Sequence, residues 1–600
     1  MRHDLLTYYE RELLFLRQTA SGFAEDYPKI ARRLSLEADR CEDPHVERLI
    51  EGFAYLAARI HLKIDDEFPE ITDSLLQVLY PHYLAPVPSM GIVQFVVDPR
   101  QGKLSGPYNI GSGTSLYSKS STDAVCRFRT AYPVTLWPIR VASAKIEISG
   151  SPNSPAALVL RLEATGDSPL SELGLSSLRF FLSGPAQLTQ ALYESIFGRC
   201  QRIDLHFGTS HSDPIVLPSE SVGEVGFGRG EGCLPYSDRS FLGYRLLQEY
   251  FALPEKFLFF DLLLGDVLRQ AGTQTEVEIV FRFSQIPPHS QQTEADNFRL
   301  GCTPIVNLFE QTAEPIRLDH AHTEYRVIPD IRRQGIMEVH SIDSVASISP
   351  QTGSQMEFQP FYSFRHSLAR ESQAFWHAMR RPSLASNDAG TEVFLTLVDL
   401  NFRPTLPPTD VVTVRTTCTN RDLPGVLLFG HSAGDFQLEG AAPIESIVCL
   451  INPTKSIRPP LRGGARWRLI SHLTLNYLSL LHSAADNRPE ALQEILRLYD
   501  PGNSPVILQQ ITGITSIASR QVMRRIRGKQ GSGFARGIEV TLGFDENNFV
   551  GSGVFLFASV LEKFLGLYVS INSFSELVAT SKQRGVLKRW HPRSGYQTLL

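Results

Sequence analysis

Apolar residues near the start of the chain fall three and four apart. Leu5, Tyr9, Leu13, Leu16, Ala20 and Phe23 make one such row, which predicts an amphipathic helix that Pro28 ends or kinks. A second row follows Asp43-Pro44: Val46, Leu49, Ile50, Phe53, Leu56, Ala57, Ile60 and Ile64. Asp43 is placed to cap free N–H groups, and Pro44 suits a first helical position, where no donor is needed. Thr72 is expected to cap a third, short helix through Leu75, Leu76 and Leu79, stopped by Pro81.

Beyond about residue 90 the apolar period shortens to two. GIVQFVV, KIEISG, ALVLRLEA and TEVEIVFRFS alternate and are rich in β-branched and aromatic residues, which predicts strands. LTQALYESIFG and SFLGYRLLQEYF interrupt them with helical spacing. EYRVIP, MEVHSIDSVASI, TEVFLTLVDL and DVVTVRTTCT form a second run of strands. Helical spacing returns in RLISHLTLNYLSLLH and RPEALQEILRLYD. The strand RGIEVTLGFD then precedes an apolar helix from about Val554 to Ile571. SPNSPAA and QIPPHSQQ punctuate these runs as turns.

The pattern predicts an α+β, multidomain chain. A helical segment, a candidate for a shared bundle, spans 1–88. A β-rich domain with helical insertions spans 89–290, and a second spans 291–440; both are expected to be sandwich- or barrel-like. A mixed α/β domain spans 441–600.

Composition narrows the function classes. Of 600 residues, 42% are hydrophobic and 10% aromatic, enough to bury several cores. The formal net charge of −5 gives no global attraction to nucleic acid or to an anionic membrane. The seven cysteines are dispersed without a CxxC pair, which suits a reducing compartment and small buried hydrophobes. Glu10, Arg11 and Glu12 break the first apolar run, so no secretory signal is expected. GVFLFASVLEKFLGLYVSI carries Glu562 and Lys563 at its centre, and no stretch reaches the roughly 18 uninterrupted apolar residues of a membrane span. These features predict a soluble, cytoplasmic chain without direct membrane insertion.

Three segments imitate catalytic or binding motifs. GHSAG, Gly430 to Gly434 after VLLF, matches the nucleophile-elbow pattern, with Ser432 as nucleophile and a serine hydrolase as the alternative function. The chemistry also needs a helix behind the serine, yet Asp435, FQLEG and Pro443 follow, so a turn between strands is expected. DHAHTE places His320 and His322 on one face of a strand, as two metal ligands would be, but no third cluster is near. GEVGFGRGEG lacks both the P-loop ending and the dinucleotide spacing, and is expected to be a flexible loop. No catalytic residue, cofactor or metal is assigned.

Two basic clusters remain. Arg458, Arg462, Arg466 and Arg468 form one; Arg520, Arg524, Arg525 and Arg527, followed by Lys529, form the other. Neither is interleaved with the aromatics of a single-strand binding platform. The second is a candidate surface for docking an acidic protein.

YYERELLFLR, FAEDYPKIARRLSL and DPHVERLIEGFAYLAARIHLKIDDEFPEITDSLLQVLYPHYLAPVPSM resemble the opening of the TssF family, also called ImpG or VasA. The resemblance continues through FRTAYPVTLWP, CTPIVNLFEQTAEPIRLDHAHTEYRVIPD, FRPTLP, CTNRDLP, WRLISHLTLNYLSL and RGIEVTLGFDENNFVGSGVFLFASVLEKFLGLYVSINSF, and ends in KRWHPRSGYQTLL. It covers essentially the whole chain. The resemblance implies a non-enzymatic structural subunit of the type VI secretion baseplate, without a cofactor, docked at the inner face of the inner membrane. It implies a wedge of two TssF copies with one TssG, contacts with TssK adaptors and the sheath initiator TssE, and packing around the VgrG spike. Within that expectation, Leu5, Tyr9, Leu13, Leu16, Phe53, Leu56 and Ile60 form the candidate seam of a bundle shared with TssG and the second copy.

Overall fold

Met90, Ile92, Val93 and Phe95 are all buried, because the strand Met90–Val97 lies between two neighbours of a closed barrel. The computed structural model describes residues 2–31, 44–65, 69–97, 106–119, 125–149, 152–166, 168–208, 214–236, 240–319, 322–348, 355–361, 374–383, 385, 388–399, 411–431, 433–440, 442–461, 465–473, 489–500, 502, 504–528, 531–569 and 573–594. They divide into two compact units, Met1–Val78 with Pro460–Thr474, and Leu79–Pro459 with Leu475–Leu600.

In the larger unit, the barrel runs Met90–Val97, Cys302–Val306, Arg127–Thr130, Ser115–Ser118, Phe436–Leu438 and Ile444–Ile451. Val93 faces Thr303 on one side and Cys449 on the other. Its interior holds Val93, Phe95, Leu116, Phe128, Ile305, Phe436 and Ile447. A Cβ on Gly91 would come within 2.7 Å of the Ile451 carbonyl oxygen, so glycine permits this closure.

The chain leaves the barrel twice. Residues 139–299 supply a five-stranded and a four-stranded sheet, whose aromatics meet where Phe260 packs edge-on against Phe281 at 6.4 Å. Residues 309–419 supply an eight-stranded sheet around Val345, Phe358, Leu395, Val412 and Val414. The expected strands are present, among them Glu276–Phe283, Glu338–Ile348, Thr391–Asp399 and Val411–Thr419.

The C-terminal sheet joins Gly531–Phe544 to the parallel strand Phe574–Ser581 through the helix Val554–Leu567. Parallel neighbours need such a crossover, and the helix is buried on nearly every side. Its two charges are paired: Glu562 accepts from Arg593 at 2.7 Å, and Lys563 lies 2.7 Å from Glu224. Among the described residues, no helix is long and apolar enough to cross a membrane. The helix Pro505–Thr512 and the strand Ile514–Gly528 were not anticipated from the apolar pattern. Arg520, Arg524, Arg525 and Arg527 fall on both faces and mask the strand's period.

In the smaller unit, α1 (Arg2–Asp26) is followed after Tyr27 by the short α2 (Pro28–Ala31). α3 (Pro44–Asp65) packs along α1. α4 (Pro69–Leu79) begins earlier than expected, with Pro69 at its first position and Thr72 inside its first turn, buried. Buried Asp73 on α4 is ion-paired with buried Arg466 on the helix Ala465–Leu473. The expected cap Asp43 lies outside the described residues.

Candidate partner-binding surfaces

α3 turns its small side chains toward α1. Ala54 and Ala58, four residues apart on one face, are fully buried, and Ile50 and Ala57 are partly buried. Glu12 of α1 is buried in the same contact, 3.5 Å from His61. The large side chains of α3 lie elsewhere. Leu49 is 72% exposed, Phe53 61%, Leu56 53% and Ile60 59%. Their spacing of four, three and four is that of a coiled-coil seam, here without a covering helix among the described residues. A contiguous apolar row of this size marks an interaction surface on a folded protein.

The expected seam residues therefore fall into two groups. Phe53, Leu56 and Ile60 belong to the exposed row, which Leu49 extends. Leu5, Tyr9, Leu13 and Leu16 of α1 are half-buried, whereas Leu6, Leu14 and Phe15 are exposed. The periodicity located the helices; it did not show which face of each turns inward.

The second basic cluster lies on the antiparallel hairpin of Ile514–Gly528 with Gly531–Phe544. Arg520 donates to Glu539 at 2.7 Å. Arg524 donates to Glu576 at 3.1 Å and to Glu539 at 3.2 Å, and Arg589 also reaches both carboxylates. Burial pushes the Glu539 carboxyl up, but Arg589 and Arg520 outweigh it and hold the group below its ordinary range. Arg525 is exposed, and the side chain of Arg527 lies outside the described residues. The first cluster is not a solvated face: Arg458 pairs with buried Glu338 at 3.1 Å and with Asp422 at 2.9 Å, and Arg466 is the buried partner of Asp73.

The motif-like segments have structural roles. Val426 to Phe429 form no strand, and no helix follows Gly434. Instead, the Asp435 carboxylate accepts from the backbone N–H of Gly430 at 2.8 Å and His431 at 2.9 Å, and from Cys449 N–H at 2.8 Å. This aspartate cradles a turn on the barrel, with Gly430 and Gly434 both at positive φ. Ser432 lies outside the described residues. In DHAHTE, Asp319 accepts from Tyr325 at 3.0 Å and lies 2.8 Å from His322, while Glu324 binds Arg381 at 2.5 Å. His320 is outside the described residues, among which no cluster of three metal-ligating side chains occurs.

The glycine-rich loop, expected to be flexible, is fastened by side-chain hydrogen bonds. Glu231 accepts from the N–H of Gly226 and Gly228 at 2.8 and 2.9 Å, and Arg245 donates to the carbonyls of Gly228 and Arg229. Glu249 closes the same clasp, accepting from Cys233 and Leu234 N–H and from Lys256, with Glu249 and Lys256 fully buried. The thiols match expectation more closely. Cys126, Cys233 and Cys418 are buried, and burial pushes each up to about 12. A cavity of about 640 Å³ beside Arg326 and Arg421 is lined by charges that neutralise one another, Arg326 with Glu392 and Arg421 with Asp388.

Known proteins resemble the whole chain. A family model described as type VI secretion system, TssF matches residues 1–597. The type VI secretion system component TssF1 of Pseudomonas aeruginosa is 40% identical over 626 residues, covering 99% of both chains. A chain of the TssK-TssF-TssG baseplate subcomplex, solved by cryo-electron microscopy, superimposes with a TM-score of 0.72 at 26% identity, covering 92% of this chain and 99% of that one. A chain of the type VI baseplate complex shares the fold, with a TM-score of 0.58 at 23% identity and 98% of each chain covered.

Proposed function

Because the chain belongs to the TssF family of the type VI secretion system, we propose that it builds the baseplate wedge, its α3 row covered by helices of TssG and of a second TssF copy. The observation that carries this reading is the exposed row Leu49, Phe53, Leu56 and Ile60, set outward while Ala54 and Ala58 pack inward. Half-buried Leu5, Tyr9, Leu13 and Leu16 lie on the neighbouring helix and complete the candidate bundle. Assembly with TssG and TssK is supported by the subcomplex in which the similar chain was solved. Contacts with TssE and the VgrG spike, and a cytoplasmic baseplate at the inner face of the inner membrane, complete the proposal.

The proposed role is non-enzymatic. Asp435 accepts from the Gly430 and His431 N–H groups, no strand leads into the GHSAG turn and no helix follows Gly434, so the elbow that a serine nucleophile needs is not formed. Charged substitutions at Leu13 and Leu16 test the bundle: TssG should no longer co-purify while the chain stays folded by circular dichroism. Retention of TssG by that double variant would sink the idea.

A further inference from the structure

The strand Gly531–Phe544 pairs with Ile514–Gly528 along its length, but with its other neighbour, Phe574–Ser581, only from Ile538 onward. Residues 521–528 and 531–537 are therefore two strands of a ribbon running on past the third strand. Cross-strand partners share a face. The pairs Met523–Arg536 and Arg525–Phe534 thus lie on the face that holds Val540, Leu542 and Phe544 in the core further along the strand. There the face is buried; on the ribbon Met523 is 57% exposed and Phe534 77%. Arg525 and Arg536 flank them, also exposed. The opposite face turns Arg524 back to Glu539 and Glu576. Residues 521–537 carry Arg524, Arg525, Arg527, Lys529 and Arg536 and no aspartate or glutamate.

We propose that this ribbon is a docking arm that lays Met523 and Phe534 against an acidic surface of a neighbouring baseplate protein, with Arg525 and Arg536 meeting its carboxylates. The proposal rests on the baseplate reading above. Charge selects the occupant: Arg524 is met by Glu539 and Glu576 on the opposite face, so the charge beside Met523 and Phe534 is that of Arg525 and Arg536, which is complementary to an aspartate- or glutamate-rich element. The apolar pair requires that this element also carry an apolar notch. A two-stranded ribbon is marginal alone in water, so its open face gains stability when covered. A nucleic-acid partner would call for a basic field wider than one ribbon, and the chain as a whole is acidic.

The test uses the full chain co-expressed with TssG and TssK, with a photo-crosslinking benzoyl-phenylalanine in place of Phe534. The complex should co-purify, and irradiation should join residue 534 to an acidic segment of a partner. Arg525→Glu with Arg536→Glu should lower that crosslink by about tenfold. A co-purified complex whose residue 534 joins no partner, or joins it undiminished in the charge-reversed variant, overturns the arm alone. So does loss of binding to phosphatidylserine vesicles or duplex DNA in that variant while the crosslink persists. If the wild-type chain fails to co-purify with TssG and TssK, the baseplate reading falls, and the arm with it.

Discussion

Asn307 and Asn420 exchange hydrogen bonds across the junction of the barrel and the eight-stranded sheet. Asn307 Nδ2 donates to Asn420 Oδ1 at 2.8 Å, and Asn420 N–H donates to Asn307 Oδ1 at 2.6 Å. Both are buried, and the same amides satisfy both backbone groups of Arg127. Asn307→Leu would take the side-chain partner from the Asn420 N–H and from the Arg127 carbonyl, while Asn420 Oδ1 keeps the Arg127 N–H. It should cost about 3 kcal/mol in urea unfolding. Because the pair shares its bonds, the double variant with Asn420→Leu should cost less than the sum of the singles.

Lys256 and Glu249 present a harsher case. Both are fully buried and ion-paired, and Glu249 also holds the backbone of Cys233 and Leu234. Lys256→Met leaves the buried carboxylate with only the more distant Arg245, 4.0 Å away, as a cation, and should destabilise by about 3 kcal/mol. Adding Glu249→Gln, which keeps the acceptor and removes the charge, should recover part of that loss in the same unfolding assay.

Two histidines link stability to pH. Burial, with Arg245 nearby, holds His82 at about 4; His82 also stacks on Tyr236 at 4.4 Å and lies edge-on to Tyr80. Burial, with Arg380, His82 and Arg129 nearby, holds His340 at about 3. Each stays neutral in the folded chain while its unfolded form takes a proton below about 6.5. Stability is therefore full above pH 6.5 and falls on acidification toward pH 4, by up to about 1.4 kcal/mol per pH unit for each histidine. Urea midpoints at pH 7 and pH 5 check this, and His340→Asn should flatten the slope.

Ser432 is predicted to be chemically inert, because no strand leads into its turn and no helix follows Gly434, both of which a nucleophile elbow requires. A fluorophosphonate probe should leave the purified chain unlabelled. Labelling that Ser432→Ala removes would restore the hydrolase reading.

The elements were more legible than their partners. Val540, Leu542 and Phe544 alternate plainly, and the helix Val554–Leu567 is apolar enough to read despite Glu562 and Lys563. Barrel closure was hidden, because Val93 pairs with Cys449 from far along the chain and no local period encodes that. Arg520 and Arg524 read as a free basic patch because the carboxylates that neutralise them, Glu539 and Glu576, arrive on other strands. On α3, eight apolar positions described a helix without ranking its faces. Ala54 and Ala58 take the inner side because small side chains let α1 approach closely, and that choice leaves Phe53 and Ile60 outside.

That outward row is the most direct point of attack. Phe53→Asp with Ile60→Asp changes two exposed side chains and leaves Ala54 and Ala58 packed. Burying such a pair on a partner is worth about 3 kcal/mol, or roughly a hundredfold in affinity. Native mass spectrometry of the full-length variant co-expressed with TssG and TssK should find the chain folded but without TssG. An intact complex of unchanged stoichiometry would contradict the account.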